Sequence, residues 1–141
     1  MTKQDRDLAI ADNVAYVRAV IHQVREDLPM TETLVCAGFS QGVAMAYRAA
    51  AFAGITANGL LALAGDLPED VLASGLKDFP EVLIGTGSSD GWYTPARLEA
   101  DRVKLTEAGI PATTLVFEGG HEWTDAFRSR AAEFLADRPR K

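Results

Sequence analysis

The chain has 141 residues, of which 48% are apolar and 24% are charged. This length and composition predict a single folded domain spanning residues 1–141 and exclude a disordered chain. Twenty acidic residues against fourteen basic ones give a net charge of −6. That balance excludes nucleic acid and anionic membranes as the main partners, because binding either one needs a basic surface.

The sequence also bears on the cellular compartment. Its apolar stretches are too short to span a bilayer, and residues 1–6 lead into a helical pattern without the apolar run of a signal peptide. Cys36 is the single cysteine, so an intramolecular disulfide is excluded. We therefore expect a cytoplasmic protein.

The first predicted element is a helix over residues 5–28, followed by Pro29 as a stop signal. Its apolar residues recur three and four positions apart, and small apolar residues widen the stripe. A stripe this broad predicts a helix that is covered on more than one side. The residues at helical spacing are Ile10, Val14, Val17, Ile21, Val24 and Leu28.

Short apolar runs then alternate with helical patterns to the end of the chain. Continuous apolar runs are typical of strands buried on both faces of a parallel sheet. The predicted strands are 33–38, 59–64, 81–86 and 113–117, and the predicted helices are 41–53, 68–76 (short at most), 94–108 and 124–136. The alternation predicts an α/β fold with right-handed crossovers, whose ligands bind beyond the carboxyl ends of the strands.

The first candidate for chemistry is Ser40, in the G-x-S-x-G sequence between Gly38 and Gly42. A sharp strand-to-helix turn here would lift the serine hydroxyl above the sheet at a helix N-terminus. The backbone N–H of Gln41 would then point at a developing oxyanion. The alternative is a glycine-bearing turn that merely opens a packed helix.

A serine nucleophile needs a base and an acid to orient that base. His121 follows the fourth predicted strand, whereas His22 lies within the first helix and is interpreted as a surface or capping histidine. Asp90 follows the third strand, with Asp66 after the second strand as its rival. The chain order Ser40, Asp90, His121 is that of α/β-hydrolases and favours Asp90 over Asp66.

The blocks GFSQGVAM, GTGSSDGWY and FEGGHEW resemble the signatures of the phospholipase/carboxylesterase group of α/β-hydrolases, which includes the acyl-protein thioesterases. The resemblance implies a three-layer fold with a reduced parallel sheet of about four strands. It implies hydrolysis of small esters or thioesters through an acyl-enzyme, with no metal or cofactor. Ser40 would be the nucleophile, His121 the general base and acid, Asp90 its orienting acid and Gln41 an oxyanion donor.

Four aromatic residues lie next to these positions in the sequence, and two interpretations stay open. They would either line an apolar substrate pocket or pack the rim of a small core. The four residues are Phe39, Trp92, Tyr93 and Trp123. Cys36, on a predicted buried strand, is interpreted as a small core residue rather than a nucleophile.

The chain also departs from the pattern of the group. Members are typically longer at the N-terminus, with strands before the segment that corresponds to 5–28 and a loop that supplies the second oxyanion donor. We therefore expect weakened activity, or alternatively a hydrolase-like module that acts through self-association or partner binding. Strand 33–38 would have a free edge without charge or proline, so we predict a homodimer through this edge or through helix 5–28.

Overall fold

The structure, a computed structural model, describes residues 2–28 and 32–138. Each predicted helix and strand is present, with bounds that differ by at most three residues from the predicted ones. The elements are α1 (Lys3–Asp27), β1 (Val35–Phe39), α2 (Gln41–Phe52), β2 (Gly59–Leu63), α3 (Glu69–Ala73), β3 (Val82–Gly87), α4 (Pro95–Glu107), β4 (Ala112–Phe117) and α5 (Asp125–Ala136). Pro29 lies outside the described residues, so its part in ending α1 stays a prediction.

The strands form one parallel sheet in the order β1-β2-β3-β4. Alternate residues of β2 point to opposite faces: Leu60 and Ala62 pack with the apolar sides of α2, α3 and α4, whereas Leu61 and Leu63 pack with α5. Helices therefore cover both faces, and the three-layer α/β fold predicted from the sequence is confirmed. The carboxyl ends of all four strands open on one edge of the sheet, as parallel pairing requires.

The first helix begins earlier than predicted because of a capping box. The hydroxyl of Thr2 accepts a hydrogen bond from the N–H of Asp5 at 3.1 Å, and the Asp5 carboxylate accepts the N–H of Thr2 at 3.2 Å. This reciprocal pair satisfies two backbone donors and fixes the start of α1 at Lys3.

The same helix is less covered than its broad apolar stripe predicts. Among the described residues of α1, only Val14 is buried, where the helix meets α2. Tyr16 is 69% exposed, and Val20 and Leu28 are exposed as well. The expectation of burial on more than one side is therefore wrong for the single chain. No helix in the described parts of the chain, α1 included, is both long and apolar enough to cross a membrane.

Strand β1 lies at one edge of the sheet. The Leu34 carbonyl accepts the Asn58 N–H, and the Ser40 N–H donates to the Leu63 carbonyl, so both residues bond towards β2. Because backbone groups alternate in direction along a strand, those of Val35, Ala37 and Phe39 point away from β2. Within the described residues, this edge has no strand beside it.

Candidate active site

Ser40 occupies a sharp turn between β1 and α2. Its backbone has φ 53° and ψ −122°, a conformation that non-glycine residues rarely adopt. The N–H of Ser40 donates to the Leu63 carbonyl at 2.9 Å, which fastens the turn to β2. Strain of this kind persists where the surrounding structure enforces it, and it raises the serine side chain above the strand ends.

The two glycines of the G-x-S-x-G sequence differ in what requires them. A Cβ on Gly38 would lie 2.4 Å from the carbonyl oxygen of Gly42 and 2.6 Å from the Cα of Val43, so only glycine lets α2 pack this close to β1. A Cβ on Gly42 would meet no described atom within 4 Å. The tight turn therefore depends on the first glycine, and the second one faces open space.

The structure brings together the three polar residues singled out by the sequence. His121 Nε2 lies 2.8 Å from the Oγ of Ser40, and His121 Nδ1 lies 2.8 Å from Oδ2 of Asp90. An ionised carboxylate only accepts hydrogen bonds, so Nδ1 carries the proton, and in the neutral imidazole Nε2 then accepts the serine hydroxyl. The side chain of His121 remains 34% exposed, so it faces solvent while the carboxylate behind it is fully buried.

Asp90 is held in its ionised form by several donors. Burial opposes ionisation, but the N–H of Trp92, the imidazole of His121 and the N–H of Tyr93 outweigh burial and lower the pKa of Asp90 below its ordinary value. The two backbone donors reach Oδ1 at 2.8 and 2.9 Å. They leave Oδ2 for the imidazole, so the carboxylate is oriented towards it.

The loops that carry Asp90 and His121 are tied together. The N–H of Ser88 donates to the Phe117 carbonyl at 2.7 Å, and the N–H of Ser89 donates to the Gly119 carbonyl at 2.9 Å. Gly87 allows this approach, since a Cβ there would lie 2.3 Å from the carbonyl oxygen of Gly119. The histidine loop therefore rests directly on the end of β3.

The rival candidates lie elsewhere. Asp66 has a half-exposed side chain 3.7 Å from the guanidinium of Arg97. The carboxylate that contacts His121 belongs to Asp90 and not to Asp66. His22 is on α1, exposed to solvent. The structure thus separates both of them from the hydrogen-bonded series.

Three of the four aromatic residues form one group with the imidazole, two by meeting it directly and the third by meeting Phe39. The Phe39 ring centroid lies 5.1 Å from that of His121, Trp92 meets His121 edge-on at 5.8 Å, and Trp123 lies 6.0 Å from Phe39. Trp92 is 51% exposed and Trp123 is 41% exposed. Their exposed surfaces make an apolar rim around the histidine.

Tyr93 does not reach the rim but packs in the core, which agrees with the second of the two interpretations left open for the aromatic residues. Tyr93 is fully buried, and its hydroxyl donates to Asp101 at 3.0 Å. Trp92 and Tyr93 are neighbours of similar chemistry, and the turn after Asp90 decides which one points outwards. Sequence reasoning also missed Asp101, since its partner lies on a different element.

Other residues near the site have simpler roles. Gln41 is the first residue of α2, and the N–H of a first helical residue has no acceptor within its helix. Gln41 therefore stays the predicted oxyanion donor. Cys36 is half-buried and packs against the hydrophobic core, and burial raises the pKa of its thiol. In the described chain, no group of three or more histidine, cysteine or acidic residues is placed to hold a metal ion.

No family model matches the sequence, and no curated protein matches it. Solved structures do share its fold. SOBER1 of Arabidopsis thaliana has a TM-score of 0.71 at 21% identity, covering 90% of this chain and 63% of that one. The esterase PF2001 of Pyrococcus furiosus has a TM-score of 0.74 at 14% identity, covering 89% and 61%. Esterase PE8 has a TM-score of 0.62 at 26% identity, covering 74% and 50%.

This chain spans between half and two thirds of the length of these three proteins. The present protein shares the α/β fold of these proteins, with its four-stranded parallel sheet and flanking helices. Esterases among these neighbours are consistent with the predicted resemblance to the phospholipase/carboxylesterase group.

Proposed function

We propose that the protein is a serine hydrolase that cleaves small carboxylic esters or thioesters. One observation carries the proposal: a hydroxyl, an imidazole and a buried carboxylate lie in series, with both linking distances at 2.8 Å. A base within hydrogen-bond reach of a hydroxyl is the requirement for nucleophilic serine chemistry. The strained turn at Ser40 and the esterase neighbours support the same assignment.

The mechanism follows from these contacts. Ser40 Oγ attacks the substrate carbonyl as His121 Nε2 takes the hydroxyl proton, and Asp90 stabilises the imidazolium. The oxyanion develops beside the N–H of Gln41. Collapse breaks the bond to the leaving alcohol or thiol, which receives the proton from His121 and leaves an acyl-serine. His121 then deprotonates water, whose attack releases the carboxylic acid and restores Ser40.

The oxyanion site has one assigned donor among the described residues, the N–H of Gln41. Removing one such donor from other hydrolases costs about 10²–10³ in turnover. We therefore expect slow hydrolysis unless another chain supplies the second donor.

The aromatic rim suggests the kind of substrate. Phe39, Trp92 and Trp123 present apolar surface within 5–6 Å of the imidazole or of one another. We propose that they bind the apolar part of a small ester or thioester. The guanidinium of Arg97 packs over Trp92 at 5.8 Å and donates to its carbonyl at 2.9 Å, which steadies this part of the rim.

A fluorophosphonate probe tests the nucleophile. The probe should form an adduct on Ser40, located by mass spectrometry, and Ser40→Ala should abolish both the adduct and the hydrolysis of p-nitrophenyl acetate. Ser89→Ala is the matched control, since Ser89 is also exposed in a loop of the same site. An adduct elsewhere, or full hydrolysis by Ser40→Ala, contradicts the proposal.

We further propose that a second copy of the chain covers the free edge of β1. Between α1, β1 and α2 lies a groove of about 280 Å³, which we call the β1 groove. Its lining residues are Val17, Ile21, Leu34, Val35, Cys36, Ala37, Gly42, Met45, Ala46 and Ala49. None of these side chains is charged, so two copies can meet here without local repulsion despite the net charge of −6.

A two-fold axis normal to the sheet would pair the β1 strands of two copies antiparallel. It would also set α1 of one copy beside α1 of the other, because both helices lie on the same face of the sheet. One operation then covers both the outward backbone groups of β1 and the β1 groove. The N-terminal end of the partner's β1 would lie beside Ser40, where the second oxyanion donor is needed.

Sedimentation velocity at micromolar concentration tests this assembly. We expect a species of twice 15.1 kDa. A clean monomer contradicts the proposal and would favour an extended segment of a different protein as the cover of the edge.

A further inference from the structure

A buried carboxylate on α4 lies behind the site and takes no part in the hydrolytic series. Asp101 is 4% exposed. Its Oδ2 accepts the hydroxyl of Tyr93 and the N–H of Leu67, each at 3.0 Å, and its Oδ1 accepts Nζ of Lys104 at 3.2 Å. A buried carboxylate is costly unless donors satisfy it, so these contacts fix its position.

Tyr93 connects this carboxylate to Asp90. Its N–H donates to Oδ1 of Asp90 at 2.9 Å, and its carbonyl accepts the hydroxyl of Thr86 at 2.5 Å. Burial, with the nearby negative charge of Asp101, raises the pKa of Tyr93 far above its ordinary value. The hydroxyl therefore remains a donor to Asp101 at every pH at which the protein would work.

The place of the Tyr93 backbone decides which way Asp90 faces. Oδ1 of Asp90 takes the N–H groups of Trp92 and Tyr93, and this leaves Oδ2 for the imidazole of His121. If Tyr93 shifted, Oδ1 would lose a donor and the carboxylate would be free to turn away. A misplacement of about 1 Å in such a series can cost up to 10²-fold in rate.

We propose that Tyr93 and Asp101 are positioning residues that hold Asp90 in line with His121. Since Asp101 also accepts the N–H of Leu67, it joins the loop after β2 to the loop after β3. The proposal rests on the hydrolytic function proposed above. A purely structural role would lower stability without changing the hydrogen bond between Asp90 and His121, and the experiment separates the two.

Four variants make the test. Tyr93→Phe removes the hydroxyl and keeps the ring. Asp101→Ala removes the acceptor, whereas Asp101→Asn keeps an oxygen for Tyr93 and Leu67 and turns its amide towards Lys104, which is exposed. Tyr16→Phe is the matched control, because it removes the same hydroxyl from a tyrosine on α1 whose side chain is 69% exposed.

The kinetic arm uses hydrolysis of p-nitrophenyl acetate. We expect kcat to fall about tenfold in Tyr93→Phe and Asp101→Ala with KM little changed, because these residues orient the base without touching substrate. Asp101→Asn should retain most of the rate, and Tyr16→Phe should match the unmodified protein. Equal kcat in Tyr93→Phe and the unmodified protein overturns the proposal.

The spectroscopic arm needs no turnover. The proton between His121 Nδ1 and Asp90 should give a far-downfield NMR resonance, with His22 as the other histidine for reference. We expect this resonance in the unmodified protein, Asp101→Asn and Tyr16→Phe, and its loss or upfield movement in Tyr93→Phe. An unchanged resonance in Tyr93→Phe, or none in the unmodified protein, overturns the positioning role. If the unmodified protein hydrolyses no ester but Tyr93→Phe still moves or abolishes the resonance, the hydrolytic function is overturned and the positioning role is not.

Discussion

The loops after β3 and β4, which carry Asp90 and His121, meet the free edge of β1 at Ser40, and the two regions differ in how their polar groups are satisfied. In these loops, the Asp90 carboxylate has two backbone donors and an imidazole. At the edge, the outward backbone groups of Ala37 have no strand beside them in the described chain. The polar groups of the loops after β3 and β4 are therefore satisfied within the chain, whereas the edge of β1 leaves room for a partner. Four predictions test this difference.

The largest effect is expected in the loop after β3, which carries Asp90. Asp90→Asn should lower kcat for ester hydrolysis about 10⁴-fold, because an amide no longer orients and stabilises the protonated base. Asp66→Asn is the control, and its kcat should be unchanged. A large loss in Asp66→Asn, or a small one in Asp90→Asn, would move the orienting acid to the loop after β2.

Two glycine-to-alanine substitutions test how tightly the loops after β3 and β4 pack against each other. In Gly87→Ala, the new methyl would lie 2.3 Å from the Gly119 carbonyl oxygen, so the His121 loop must move away. We expect a loss of about 1–3 kcal/mol in the free energy of unfolding together with loss of hydrolysis. Gly91→Ala, in the same loop, meets no described atom within 4 Å. Thermal unfolding should show little change for Gly91→Ala, and equal melting temperatures for the two variants would contradict the packing argument.

A proline pair compares the two edges of the sheet. Ala37→Pro removes an outward N–H of β1 and leaves its bonds to β2 intact, as edge strands permit. We expect the dimer dissociation constant to rise about tenfold, because the variant loses one or two hydrogen bonds across the interface and disturbs the pairing of the two β1 strands. Thr114→Pro makes the same change on β4, the opposite edge, and should leave association unaltered. Sedimentation equilibrium distinguishes them, and equal weakening by both would exclude β1 as the interface.

The smallest effect is a dependence of stability on acid. The pKa of Asp90 is lowered in the folded protein. Its contribution to stability is therefore complete above the pKa of the unfolded chain, about 3.9, and is lost as pH falls through the pKa of the folded protein. Urea unfolding should therefore show the difference between the unmodified protein and Asp90→Asn shrinking below about pH 4. A difference that stays constant into strong acid would mean that the carboxylate is not held ionised by its donors.

The sequence alone predicts the order of the elements, because continuous apolar runs and helical spacing are local properties. It also predicts which loops carry Ser40, Asp90 and His121, since parallel strands bring their carboxyl ends to one edge. The start of α1 had a local signal as well, in the reciprocal pair of Thr2 and Asp5. These features depend on residues a few positions apart.

The tertiary structure decides what depends on residues far apart. The turn after Asp90 directs Tyr93 inwards, where Asp101 on the next helix accepts its hydroxyl, and no pattern within the loop carries that information. The coverage of α1 depends on whether anything packs beside β1, so its apolar stripe alone could not settle its burial. Both cases have the same physical reason: burial and hydrogen-bond partners are set by packing between elements, which local composition does not encode.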